Sequence, residues 1–261
     1  MDLEDMQSRS KTQKNVFLGF LFCAFVAFLL LGSWQLYRLQ WKNSLIEQVD
    51  QRVHAAPSPV PTYDAWANIK AGTDEYRHVT VQGIFLYQHS VAVQASTVLG
   101  PGFWLLTPLR DGDGGIVYIN RGFVKGIHPY LYDGDDRFVD QGPVLVTGLL
   151  RMSEPKGGFL RSNDPTLNRW YSRDTQMLAI SQGMQKAAPF FVDAQEIVPV
   201  SPAVPLAPVA LSQQAHLNPE GGEPPVMGLT VIQFPNSHLV YAFTWFGLAL
   251  MVAIAFIKSK F

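Results

Sequence analysis

The chain has 261 residues, a formal net charge of −1 at pH 7 and a hydrophobic content of 48%. This near-neutral charge excludes the basic balance typical of nucleic-acid binding, and it offers no attraction to an anionic membrane surface. With a single cysteine, Cys23, no intramolecular disulfide can form, so a folded domain must be stabilised by its hydrophobic core.

The first predicted element is an uncharged apolar segment at residues 16–37. It exceeds the roughly 7–15 residues of a signal-peptide core, and no small-residue cleavage site follows it. We therefore predict a retained transmembrane helix, preceded by a short tail at residues 1–15. The acidic residues Asp2, Glu4 and Asp5 in this tail are uncommon in mitochondrial transit peptides, which favours a bacterial inner membrane.

Beyond the membrane, this helix is expected to continue as an amphipathic extension. Leu45, Val49 and Val53 recur at four-residue spacing, as on one face of a helix. The extension is expected to end where three prolines follow: Pro57, Pro59 and Pro61. A further short helix is predicted at residues 63–70.

A strand-rich region occupies the middle of the chain. Its apolar runs lie at residues 79–83, 91–95, 103–109, 116–124, 144–152, 190–198 and 229–234. The Gly- and Asp-rich residues 111–115 predict a hairpin turn, and Asp174 is expected to cap a short helix that ends at Gly183. Short strands at about ten-residue spacing indicate a barrel or a sandwich. Residues 126–142 are interpreted as a polar loop and residues 200–225 as a Pro-rich connector.

The last predicted element is a second transmembrane helix at residues 237–257, followed by a tail at residues 258–261. From Leu239 to Ile257 the sequence carries no charge. At about 1.5 Å per residue, this stretch has a length close to the ~30 Å hydrocarbon core of a bilayer.

Basic residues in both tails predict that both termini are cytoplasmic and that residues 38–236 are periplasmic. The predicted fold is therefore an α+β membrane protein with an N-terminal and a C-terminal transmembrane helix. The two helices would flank a mostly β periplasmic domain, barrel- or sandwich-like, with one or two short helices.

Polar and aromatic residues concentrate where the two predicted transmembrane helices reach the same membrane interface. The first helix carries Trp34, Arg38 and Trp41 at helical spacing, with Gln35 adjacent, and the second carries His238, Tyr241 and Trp245. An aromatic belt with a snorkelling arginine is one interpretation of this pattern. The density of hydrogen-bonding groups at membrane depth favours a second interpretation, a binding site.

His238 is the candidate ligand in this cluster. It lies in the first turn of its helix, where the positive end of the helix dipole favours the neutral imidazole that can bind a metal. A porphyrin iron is the simplest apolar partner for such a histidine, and Arg38 could pair with the propionates of a porphyrin. Spacing alone leaves haem, a quinone and a lipid open.

The rest of the sequence offers no competing chemistry. The five other histidines lack the spacing of metal ligands. Asp111 and Asp113 resemble the start of a calcium loop, but no glutamate stands at the twelfth position. There is no Gly-x-Ser-x-Gly motif and Cys23 has no basic partner, so a membrane hydrolase is disfavoured.

Five segments resemble the surfeit locus protein 1 family, in the family's order and over nearly the whole chain. They are Leu31-Gly-Ser-Trp-Gln-Leu-Tyr-Arg-Leu-Gln-Trp-Lys42, Gly100-Pro-Gly-Phe-Trp-Leu-Leu-Thr-Pro-Leu109, Val117-Tyr-Ile-Asn-Arg-Gly-Phe-Val124, residues 158–170 and Pro235-Asn-Ser-His-Leu-Val-Tyr-Ala-Phe-Thr-Trp-Phe246. The last segment is the most specific of the five.

This resemblance implies an assembly factor for cytochrome c oxidase or a related haem-copper oxidase, and not an enzyme. It implies, as for bacterial members, that haem a is bound and helped into the catalytic subunit, with His238 at the position of the family's haem-associated histidine. The expected roles are axial ligation of the haem iron by His238, propionate neutralisation by Arg38 and Arg121, and aromatic walls from Trp34, Tyr241 and Trp245.

The expected partners are the oxidase catalytic subunit, the lipid bilayer and, as a further candidate, the haem a synthase. Nucleic acid is not expected. The alternative function is a membrane-anchored scaffold for oxidase subunits that does not bind haem itself.

Overall fold

The computed structural model describes residues 3–126, 142–155, 161–200, 225–230 and 234–260, with side chains from residue 12 onward. Most of the predicted polar loop 126–142 and of the connector 200–225 lies outside these residues. The chain divides into two compact units. The helix unit comprises Met1–Gln48 and Ile232–Phe261, and the barrel unit comprises Val49–Val231.

The described residues form four α-helices and seven strands. The helices are α1 (Leu3–His54), α2 (Ala71–Asp74), α3 (Thr175–Ser181) and α4 (His238–Lys260). The strands are β1 (Ser58–Pro59), β2 (His78–Phe85), β3 (Val91–Thr97), β4 (Gly100–Asp111), β5 (Ile116–Val124), β6 (Val144–Met152) and β7 (Ala187–Pro199). Two short 3₁₀ turns lie at Tyr63–Asn68 and Tyr87–His89.

The two long helices, α1 and α4, are by length and composition able to cross a membrane. The predicted extension of the first helix is confirmed, since α1 continues without a break to His54 and ends ahead of Pro57. α4 begins at His238, three residues after Pro235. The predicted pair of apolar terminal helices is therefore present.

Within the helix unit, α1 and α4 contact each other through positions that recur every three or four residues. On α1 these include Leu21, Phe28, Gly32 and Gln35, and on α4 they include His238, Ala242, Trp245 and Ala249. Phe28 stacks on Trp245 with ring centroids 5.7 Å apart, and Gly32 lies against the ring of Phe246. Spacing of this kind fits side-chain ridges into grooves, and Gly32 leaves room for the Phe246 ring between the helices.

The barrel unit is built on a closed ring of five strands. The sheet order is β1-β2-β6-β7-β5-β4-β3, and an additional pairing of β2 with β4 closes the ring. The closing pairs join Gly83 to Asp111 and Phe85 to Leu109. A Cβ on Gly83 would come within 2.3 Å of the Arg110 carbonyl oxygen, so glycine permits this approach. Of the two predicted architectures, the structure has the barrel.

Apolar side chains cover both faces of β5, which explains why its sequence is a continuous apolar run. Val117 and Ile119 belong to the cluster of buried residues that also contains Leu109. The alternate residue Tyr118 belongs to a second cluster, which includes Trp170 and residues of α3. Because successive side chains of a strand point to opposite faces, β5 contributes residues to two hydrophobic clusters.

The short helices agree with the predictions in part. Asp174 caps α3 by accepting a 3.1 Å hydrogen bond from the Met177 backbone N–H, as predicted, although α3 ends at Ser181 and not at Gly183. The helix predicted at residues 63–70 is a 3₁₀ turn. The strand predicted at residues 229–234 is wrong for Leu229 and Thr230, which lie outside any strand, and residues 231–233 lie outside the described part of the chain.

Candidate functional site

The candidate site is the contact between the first residue of α4 and the middle of α1. The ring Nδ1 of His238 lies 2.8 Å from the side-chain oxygen Oε1 of Gln35. Gln35 is only 9% exposed, although it is a polar residue on an apolar helix, and His238 is half-buried. A buried glutamine between helices of this kind stabilises the pair only when its polar atoms find a partner.

This hydrogen bond determines the chemical form of the histidine ring. The amide oxygen Oε1 can only accept, so Nδ1 must donate and therefore carries the ring proton. In the neutral ring the other nitrogen, Nε2, then keeps its lone pair. Among the residues that the structure describes, none makes a hydrogen bond with Nε2. Nε2 of His238 is thus available to accept a proton or to bind a metal.

Two further contacts hold the turn that leads into α4. The side-chain amide of Asn236 donates a 2.7 Å hydrogen bond to Oδ1 of Asn43 on α1. The ammonium group of Lys42 donates to the backbone carbonyl of Pro235. Together with the Gln35 contact, these bonds attach the start of α4 to α1 at two levels, about two helical turns apart.

The aromatic and basic residues predicted for the site lie around this contact in different ways. The Arg38 guanidinium stacks 4.3 Å from the ring centroid of Trp41, one turn beyond Gln35 on α1. Trp34 and Tyr241 are about half exposed, with 53% and 55% of their surface accessible. Trp245 instead packs on α1 through its stacking on Phe28.

Gln35 is the residue whose role the sequence reasoning missed. The sequence places it beside the Trp34, Arg38 and Trp41 cluster, among the polar groups that favour a binding site, but does not indicate that it contacts His238. The sequence feature that indicates this role is the position of the glutamine, three residues after Gly32 and three before Arg38, on the face of α1 that meets α4. A lone polar residue on the small-residue face of an apolar helix indicates an interhelical hydrogen bond.

Arg121 belongs to β5 of the barrel unit. Its guanidinium lies 4.9 Å from the ring centroid of Tyr87 and 5.7 Å from that of Phe85. Burial raises the pKa of the Tyr87 hydroxyl, and the charge of Arg121 acts against that rise. Its proposed role toward a ligand stays a prediction.

The barrel unit also contains a buried group of charges that the sequence reasoning did not identify. Asp193 accepts hydrogen bonds from Arg151 at 3.1 Å, Arg173 at 3.2 Å, Asn120 at 2.7 Å and Thr230 at 2.8 Å. A charged residue within an apolar strand, as in Val192-Asp-Ala194 on β7, is the sequence signal for such a group.

Two more carboxylates complete this group. Arg151 bonds Glu75 at 2.7 Å, and Arg173 bonds Glu154 at 2.6 Å. Burial alone would raise the pKa of Glu154, but hydrogen bonds and charge from Arg173 outweigh burial and lower it. Burial acts to lower the pKa of Arg151, yet the neighbouring carboxylates raise it.

A cavity of about 210 Å³ adjoins these charges and is lined by Trp104, Arg151, Arg173 and Thr230 among others. The two arginines face three carboxylates, so the group carries no surplus positive charge for an anionic ligand. Asp193 already accepts four hydrogen bonds. The arrangement therefore fits a stabilising role in the barrel better than a ligand site.

Comparison with known proteins shows what the chain is similar to. The model of a family described as the SURF1 family matches residues 22–250, which include Gln35, His238 and the whole barrel unit. The human protein named Surfeit locus protein 1 is 29% identical over 250 residues, which is 88% of this chain and 72% of the human protein. The mouse protein of the same name is 30% identical over 236 residues, or 84% of this chain and 67% of the mouse protein. A SURF1-like protein of Monosiga brevicollis is 29% identical over 231 residues, covering 84% and 78% of the two chains.

Proposed function

The chain belongs to the SURF1 family, known for cytochrome c oxidase assembly factors, and we propose that it binds haem a at His238 and assists its insertion into a haem-copper terminal oxidase. The observation that supports haem binding is the hydrogen bond from His238 Nδ1 to Gln35, which leaves Nε2 with a free lone pair. Imidazole nitrogen is a common axial ligand of haem iron.

The residues around His238 fit a flat, apolar ligand with acidic substituents. Trp34 and Tyr241 expose about half of their surfaces on the two helices that carry Gln35 and His238. Arg38 supplies a guanidinium that can pair with a propionate, and Arg121 is a second candidate for that role. Trp245, already stacked on Phe28, would support the site from within the helix pair. The haem iron, when bound, would act as a Lewis acid, and Nε2 of His238 would donate its lone pair to it.

The proposed setting follows from the two apolar helices. α1 and α4 would span a bacterial inner membrane with both termini in the cytoplasm, and the barrel unit would then be periplasmic. There the barrel would dock the catalytic subunit of the oxidase, and the haem a synthase is the candidate donor of the cofactor. Such a protein moves a cofactor without making or breaking covalent bonds, so we propose that it is a chaperone and not an enzyme.

A second candidate function is a scaffold that holds oxidase subunits without binding haem. The contacts of Asn236 with Asn43 and of Lys42 with Pro235 favour this alternative, because they attach α4 to α1 without involving His238. In that case the His238 and Gln35 contact would serve the helix pair alone.

The function can be tested in the cells that encode the chain, by deleting the gene and measuring haem a per catalytic subunit in the purified oxidase. We expect the deletion to lower haem a occupancy, and the wild-type gene and a His54→Ala control to restore it. Full occupancy in the deletion strain would contradict the assembly role. Restoration by His238→Ala would favour the scaffold.

A further inference from the structure

We propose that Gln35 is a positioning residue that fixes the tautomer of His238 and thereby selects Nε2 as its reactive nitrogen. The part of this inference that concerns haem binding rests on the proposed function, whereas the tautomer of His238 is a property of the chain alone. The juxtaposition that supports it is the 2.8 Å contact between Oε1 of Gln35 and Nδ1 of His238.

The direction of the hydrogen bond gives Gln35 this role. A carbonyl oxygen has no proton to donate, so the bond exists only while the proton of the neutral imidazole is on Nδ1. A neutral imidazole without such a partner can carry its proton on either nitrogen. In metal sites, a hydrogen-bond acceptor at one ring nitrogen commonly fixes the tautomer and orients the ring toward the metal.

Packing around Gln35 keeps its oxygen in place. Gly32, one turn earlier on α1, lies against the ring of Phe246, and Phe28, two turns earlier, stacks on Trp245. Gln35 itself is 9% exposed. A ligand is held reproducibly when the groups that support it have few alternative rotamers. The small and aromatic residues preceding Gln35 therefore restrict where its side chain can lie.

Contacts with α1 also hold the backbone just before His238. Asn236 bonds Asn43, and the carbonyl of Pro235 accepts from Lys42. These contacts act on residues three and two positions before His238, so the Cα of His238 has little freedom to move away from α1. Because the backbone of His238 and its Nδ1 atom are both held, the orientation of the ring is fixed. The fold therefore determines the direction in which the lone pair of Nε2 points.

The test is solid-state NMR of the full-length chain in lipid bilayers at pH 8, without haem, with all histidines labelled by ¹³C and ¹⁵N. The signal of His238 is identified by its loss in His238→Ala. In the wild type we expect a protonated Nδ1 and an unprotonated Nε2. In Gln35→Met, which has a similar volume and no oxygen, we expect the proton to move mainly to Nε2. Gln35→Glu restores an acceptor and should return the proton to Nδ1.

Protonated Nε2 in the wild type would overturn the inference, and so would a Gln35→Met variant that keeps its proton on Nδ1. The signals of the other histidines report whether each variant is folded. If Gln35→Met is misfolded, the wild-type and Gln35→Glu spectra still decide, because both must show protonated Nδ1.

A haem a titration separates this inference from the proposed function. With both correct, Gln35→Met should bind haem a about 10–100-fold more weakly than the wild type, while Gln35→Glu should not. A wild type with the expected tautomer but no haem binding would contradict only the proposed function. Haem binding through His238 that is equally tight in Gln35→Met would contradict only the positioning role.

Discussion

Gly32 on α1 lies directly against the ring of Phe246 on α4. A Cβ built on Gly32 would come within 2.6 Å of a ring carbon, closer than side-chain carbons approach in folded proteins. The Phe246 ring can therefore lie against α1 at this level because position 32 has no side chain. Gln35 lies one turn beyond, so this contact also sets the distance between the two helices where His238 binds Gln35.

Replacing Gly32 by leucine should separate the helices. Overpacking of this kind typically costs about 1–3 kcal/mol, and it should also break the Gln35 contact, so the NMR signal of His238 should change with the stability. The measurement is the thermal unfolding midpoint of the full chain in detergent.

Gly19→Leu is the matched control for this substitution. It lies on the same helix, and nothing comes within 4 Å of a Cβ built there. We expect its midpoint to stay close to that of the wild type. Equal effects of the two substitutions would show that the helix pair is not in contact at Gly32.

Asp193→Ala should destabilise the barrel unit strongly. It removes the shared acceptor of Arg151 and Arg173 and leaves both guanidinium groups buried with one carboxylate partner each. Loss of one partner from a buried ion pair costs about 3–5 kcal/mol. The measurement is urea unfolding of the full chain, followed by tryptophan fluorescence.

Asp113→Ala serves as the control, because Asp113 is exposed in the turn between β4 and β5. Surface substitutions of this kind usually change the unfolding free energy by less than about 0.5 kcal/mol. A similar small effect of Asp193→Ala would mean that the buried charges do not stabilise the barrel.

Glu154 should make stability depend on pH in the acidic range. Its pKa in the folded chain is lowered by Arg173, so the unfolded chain binds its proton first as the pH falls. The contribution of Glu154 is therefore complete above the unfolded pKa of about 4.3 and is lost as the pH falls through the lower folded value.

The comparison that isolates this effect is wild type against Glu154→Gln in urea unfolding between pH 7 and pH 3. We expect the wild type to be more stable at pH 7 and the difference to shrink below about pH 4.3, where the unfolded carboxyl becomes protonated. A difference that stays constant over this range would show that the ionised carboxylate is not what stabilises the fold.

Local sequence patterns carried enough information for the elements but not for the contacts between them. The uncharged runs, the prolines after α1 and the hairpin turn at residues 111–115 each depend on neighbouring residues, and the structure has the corresponding helices and strands. The Asp174 cap is likewise local. The choice of barrel over sandwich depends on the closing pairs of β2 and β4, which no local pattern determines.

In the candidate site, too, one residue could be predicted from local sequence and its partner could not. His238 could be selected from its own helix, because a histidine at the start of an apolar segment is unusual. Its partner Gln35 lies 203 residues away, and the pairing depends on how α1 and α4 are aligned along each other. That alignment follows from contacts such as Gly32 with Phe246, which only the folded chain reveals.

Haem ligation by His238 is tested most directly by the visible absorption spectrum of the detergent-purified chain from cells that make haem a. We expect a Soret band in the wild type and in His54→Ala, because His54 is exposed at the end of α1. We expect His238→Ala to lose that band. A wild type without a Soret band, or a His238→Ala variant with an unchanged band, would contradict the claim.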